Sequence, residues 1–163
     1  MIDLTKITTA PDLTFDVMTS GAVDAPLVLL LHGFAETFHM WRAQMPALAA
    51  AGFRAVAPSQ RGYSAGARPD TREPANYGFE HLVNDGLIIA AACGNASRRF
   101  HVVGHDWGGS IAWGIADRDL TRIASLTVLS RPHPNAFNQA LAASHLKRGI
   151  AMCGAGPLWQ LCG

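Results

Sequence analysis

An aspartate stands between small residues in Gly104-His105-Asp106-Trp107-Gly108-Gly109, and this stretch has the types and spacing best suited to chemistry. Before it, Arg99-Phe100-His101-Val102-Val103 reads as a buried strand. After it, Gly109-Ser110-Ile111-Ala112-Trp113-Gly114-Ile115-Ala116 reads as an apolar helix, so Asp106 lies at the tip of a strand-turn-helix. A nucleophile on so sharp a turn takes a strained backbone conformation, and its neighbours two residues away must be small; Gly104 and Gly108 meet that demand. A carboxylate is already ionised near neutral pH and needs no base to attack an electrophilic carbon. It can therefore open an epoxide or expel a halide, leaving an ester on the protein, where a serine would first have to lose its proton. Releasing that ester requires an activated water and donors for a tetrahedral oxyanion.

The elements that must position this acid follow from hydrophobic patterning. Leu13 to Thr19 alternates apolar and polar, as a strand with one wet face does. Leu27-Val28-Leu29-Leu30-Leu31 is continuously apolar, as expected of a parallel strand covered on both faces. It stops at His32-Gly33-Phe34-Ala35-Glu36-Thr37, a loop at a strand's carboxyl end, where open α/β sheets place ligands. Thr37 is a candidate cap for a helix over 38–51 that Gly52 ends, and Phe53 to Ala57 forms the next strand, cut off by Pro58. Ser59 to Pro69 reads as an ordered surface loop, Tyr77 to Cys93 as a helix closed by Gly94, and Ser125 to Leu129 as a strand. Arg131-Pro132-His133-Pro134 should then run extended, since neither proline can continue a helix. Strands alternating with helices predict a doubly wound, mostly parallel α/β sheet with right-handed crossovers.

Composition narrows the function classes. With 163 residues, 49% hydrophobic and 15% charged, the chain can bury a core. The net charge of +1 and the scattered Lys and Arg give no basic stripe, which argues against nucleic acid and for a small-molecule substrate. The N-terminus has no signal-peptide pattern and no apolar run reaches the roughly 18 residues of a membrane span, so the expected location is cytoplasmic, without membrane association. Three cysteines, Cys93, Cys153 and Cys162, lack ligand pairing and suit reduced thiols. His39, His81, His101 and His145 have no acidic neighbour at ligand spacing, so neither a metal nor any other cofactor is expected. Nothing in the sequence specifies an oligomeric state.

Together, His32-Gly33-Phe34, Arg61-Gly62-Tyr63-Ser64, the Gly104 to Gly109 elbow and Arg131-Pro132-His133-Pro134 resemble the α/β-hydrolase superfamily, in its epoxide hydrolase and haloalkane dehalogenase branch, over about residues 13–138. The resemblance implies an α/β-hydrolase sheet and Asp106 as nucleophile. It places the oxyanion hole at the backbone N–H groups of Phe34 and Trp107. Trp107 either lines the pocket or gives its indole N–H to a departing halide. His32 and His105 flank the site and are assigned with Trp107 to substrate binding, although a histidine so placed more often fixes loop geometry than transfers a proton. His133, Arg61 and Tyr63 are read as structural. Epoxide hydrolysis to a diol is the leading reading and dehalogenation the alternative; a catalytically incomplete remnant is the third.

Departures from the pattern are few. Ala35 stands where the family has proline, and Ser59 where it has an acid. The acid and histidine that complete the triad, and the cap whose tyrosines protonate the opening ring, would follow Leu129 in the family's order. Residues 1–147 are accordingly expected to be the N-terminal part of a hydrolase core, truncated before the cap and last strands. Residues 148–163, with two cysteines and no acid, read as an atypical tail, either aberrant or the start of a missing cap, and His145 enters where the cap should begin.

Overall fold

A computed structural model describes residues 1–95 and 98–143. The strands are β1 (Asp3–Ala10), β2 (Leu13–Ser20), β3 (Leu27–Leu31), β4 (Arg54–Pro58), β5 (Phe100–His105) and β6 (Ile123–Leu129). The helices are α1 (Gln44–Ala50), α2 (Phe79–Ala90), α3 (Trp107–Arg118) and α4 (Pro134–Ala143). All six strands form one sheet in the order β1-β2-β4-β3-β5-β6. β2 runs antiparallel to both its neighbours, whereas β3–β4, β3–β5 and β5–β6 are parallel. This is the mostly parallel α/β sheet expected of an α/β hydrolase.

Residue types explain the layering. Every residue of β3 is buried, and its side chains alternate between two cores as the strand period requires. Leu27, Leu29 and Leu31 pack with Val83, Ile89, Ile111 and Ile115 of α2 and α3. Val28 and Leu30 pack on the opposite face with Phe38, Trp41 and Met45. A helix covers each face of β3, so both of its ends are fixed and the loop after Leu31 starts from a rigid point.

The helix expected over 38–51 is broken in two. A 3₁₀ turn over Phe38–Trp41, capped by the Thr37 hydroxyl, precedes α1. Pro46 supplies the reason, because it has no N–H for the carbonyl of Arg42 and its ring would collide there, so the helix restarts with the proline in its first turn. Similarly, Pro134 does not prolong the extended loop but opens α4, where its fixed φ suits a first helical position. The N–H of Asn135 donates to His133 Nδ1 at 3.2 Å, so this histidine caps the helix, and its ring meets Trp113 edge-on.

One other reading changes, and one strand is added. The 59–69 segment is ordered but turns much of itself inward, with Arg61, Ser64 and Ala67 buried. β1 carries no strong sequence signal: its residues are largely exposed, and it is held through backbone pairing with β2 together with Ile7 packed against the core. The tail at 148–163, His145, Cys153 and Cys162 lie outside the described residues.

Candidate active site

Strain marks the site before any chemistry is assigned. Among the described residues, three that are not glycine take positive φ: Ala35 at 61°, Asp106 at 49° and Ser130 at 60°. Each lies just beyond the carboxyl end of one of three adjacent strands, β3, β5 and β6. Such conformations cost on the order of 1–3 kcal/mol each and persist only where surrounding structure holds them.

The elbow is held by close backbone packing. A Cβ on Gly104 would lie 2.2 Å from the carbonyl oxygen of Gly108, and one on Gly108 would lie 2.3 Å from that of Leu31. Rigid backbone gives no relief at such distances, so both glycines are required for β5 to turn straight into α3 against β3. The Asp106 N–H donates to the Leu129 carbonyl at 3.0 Å, and its own carbonyl accepts from Gly109 and Ser110 as α3 begins. The backbone of the aspartate is thereby fixed on both sides.

That side chain meets the loop after β3. The Phe34 N–H donates to Asp106 Oδ1 at 3.1 Å. Burial pushes the Asp106 carboxyl up, but the N–H groups of Phe34 and Trp107 and the charges of Arg131 and His105 outweigh it, holding the group below the ordinary 3.8. Asp106 is therefore ionised at neutral pH, as a nucleophile for carbon must be.

The loop approaches so closely that Gly33 admits no side chain. A Cβ there would sit 3.0 Å from Asp106 Cβ and 3.1 Å from His105 Nδ1. His105 donates from Nδ1 to Glu36 at 3.1 Å, tying the elbow to the loop; both side chains are partly exposed beside Asp106. Trp107 is half-buried, with the Arg131 guanidinium 5.8 Å from its ring centroid, while Arg131 Nε donates to Ser110 Oγ at 2.9 Å. Phe34 is 71% exposed.

His32 departs from its assignment. It is fully buried, its Nδ1 donates to the Gly33 carbonyl at 2.9 Å, and its Nε2 accepts from the Gln60 N–H at 2.9 Å. With both nitrogens engaged and no surface exposed, the ring cannot touch a substrate; it joins the β3 and β4 loops instead. Burial lowers its pKa below 6.5, against the raising effect of the Gly33 bond and Glu36. Because the unfolded chain binds the proton more readily, this group favours folding fully above pH 6.5 and progressively less as the pH falls below it. Imidazole NMR should accordingly show His32 still neutral where an exposed histidine is half-protonated, with the urea midpoint falling between pH 7.5 and 5.5. A His32 that titrates at or above 6.5 would contradict the buried, neutral ring.

Glu36, Tyr63 and Arg131 also belong to this neighbourhood, and sequence reasoning gave them no role beside Asp106. Among the described residues, no three His, Cys, Asp or Glu side chains gather as a metal site. No helix among them is long and apolar enough to cross a membrane.

A strand-turn-helix at the carboxyl edge of this sheet, carrying Asp106 and faced by the backbone of the loop after β3, is the elbow arrangement of the α/β-hydrolase class. A model of the alpha/beta hydrolase fold matches residues 26–149, and the chain belongs to that family. It is 36% identical over 123 residues to the AB hydrolase superfamily protein YfhM of Bacillus subtilis, covering 76% of this chain and 42% of that protein. It is 42% identical over 107 residues to epoxide hydrolase B of Mycobacterium tuberculosis, covering 66% of this chain and 29% of the relative. A solved structure described among novel epoxide hydrolases in metagenomes from hot environments superposes with a TM-score of 0.78 at 36% identity, over 89% of this chain and 47% of its own. The chain thus spans less than half the length of each of these relatives.

Proposed function

We propose that this chain carries the nucleophilic half of an epoxide hydrolase, with Asp106 attacking a ring carbon of an epoxide. The observation that supports this most directly is the Phe34 N–H on Asp106 Oδ1 at 3.1 Å. With one oxygen held, Oδ2 is left to attack. A C–O bond forms at Oδ2, the ring C–O bond breaks, and the alkoxide takes a proton from water or from a donor supplied by the rest of the fold. Oδ1 becomes the ester carbonyl oxygen already accepting the Phe34 N–H, and the Phe34 and Trp107 N–H groups then receive the negative charge when water adds to the ester carbon. The histidine and acid that activate that water, and a cap over Phe34 and Trp107, belong to the part of the family pattern beyond Leu129. Residues 1–147 are on this reading the first part of the core domain. The names of the relatives favour epoxide over halide chemistry.

Intact-mass analysis of the 163-residue chain after incubation with styrene oxide, followed by peptide mapping, tests the assignment. One adduct per chain on Asp106 is expected, accumulating without turnover. Folded protein that stays unlabelled would overturn it. Labelling by 1-chlorobutane with chloride release, and none by the epoxide, would transfer the assignment to dehalogenation.

A further inference from the structure

We propose that Tyr63 is a positioning residue for the oxyanion loop, its hydroxyl accepting the Ala35 N–H and so aiming the preceding Phe34 N–H at Asp106. Ala35 N–H donates to Tyr63 Oη at 3.0 Å. The bond spans the loops after β3 and β4 and acts on a residue whose φ of 61° an alanine does not adopt freely. Releasing Ala35 would let its φ relax, and that rotation would swing the neighbouring Phe34 peptide, whose N–H lies 3.1 Å from the carboxylate.

The acceptor itself is rigidly placed. Tyr63 N–H donates to the Gln60 carbonyl at 2.9 Å, and Arg68 donates to the carbonyls of both Gly62 and Tyr63. The tyrosine ring packs edge-on against buried His32, with centroids 4.7 Å apart. A ring needed only for packing would be satisfied by phenylalanine. The hydroxyl therefore separates the two roles. An alanine can give this hydrogen bond and a proline could not, so the arrangement depends on the residue this chain has at 35.

The proposal takes Asp106 as the nucleophile from the reading above, but part of its test does not depend on that chemistry. In the 163-residue chain, the exposed Ala35 amide should exchange with solvent more slowly than other exposed loop amides; free exchange overturns the proposal even if no variant folds. Tyr63→Phe, checked by circular dichroism, should speed that exchange and raise the Asp106 pKa in a ¹³C carboxyl titration. The charged groups facing Asp106, namely His105 from β5, Glu36 from the β3 loop and Arg131 after β6, are unchanged by this substitution. Labelling by styrene oxide should slow about tenfold in Tyr63→Phe, but less than about threefold when the same change is made on Ala35→Gly, where positive φ needs no support. An unchanged Asp106 titration and unchanged exchange in folded Tyr63→Phe overturn the proposal. A shifted titration in a chain that never labels upholds Tyr63 and removes the nucleophile reading instead.

Discussion

Asp106→Asn should leave the chain folded and unreactive, with labelling by styrene oxide reduced on the order of 10⁴-fold or more, the scale of losing an essential nucleophile. Asparagine is close to isosteric and tolerates positive φ better than most residues, so the 49° conformation survives the change. Its amide oxygen can still accept from the Phe34 N–H where Oδ1 now does, which turns the amide nitrogen toward the substrate side. A neutral amide is a poor nucleophile for carbon, and the geometry that makes the carboxylate effective remains around a group that cannot attack. Thermal unfolding measured alongside labelling separates lost chemistry from lost fold. If Asp106→Asn labels at an undiminished rate, the reactive residue lies elsewhere and the elbow has only a structural role. The acid limb supplies a second check. Because the carboxyl is held below 3.8, unmodified protein should label at a constant rate as the pH falls from 7 to 5, rather than losing reactivity there.

How far the sequence announced this site depends on the range of the contacts involved. Asp106, its flanking glycines and the apolar β3 and β5 were legible because strand, turn and helix are local patterns with their own residue types. Phe34 was reached through the resemblance, since a backbone N–H leaves no mark on residue type. His32 was misplaced because a polar residue at a strand's carboxyl end looks equally fit to face a ligand or to join two loops. Only its burial and its bonds to Gly33 and Gln60 decide between them. Arg131 lay inside a quoted motif, yet its approach to Trp107 depends on β6 pairing beside β5, a contact across 24 residues of chain. β1 stayed hidden because its exposed residues leave neither the alternation nor the apolar run that marks a strand.

Asp85→Ala is the substitution with the largest expected effect on stability, about 3–5 kcal/mol, the range for removing one partner of a buried pair. Arg61 and Asp85 have side chains only 7% and 8% exposed, and two bonds join them: Nε to Oδ2 at 2.7 Å and Nη2 to Oδ1 at 2.8 Å. Arg61 Nη1 also donates to the Asn76 carbonyl at 3.1 Å, so the guanidinium fastens the loop after β4 to α2 and to the segment before it. With Asp85 truncated, the guanidinium keeps its charge and loses its counter-charge in a place water does not reach. Domains are commonly stable by only about 5–15 kcal/mol, so such a loss takes a large share of the total. Urea unfolding should show it as a lower midpoint. The double variant Arg61→Met/Asp85→Leu should recover much of the midpoint, because removing both charges spares the cost of burying either one. It should not recover labelling at Asp106. Arg61 also orders the loop in which Gln60 holds His32 and Tyr63 holds Ala35, and methionine makes none of its three hydrogen bonds. A stable double variant that labels at the original rate would show that the pair serves the fold alone and that the loop after β3 is held without it.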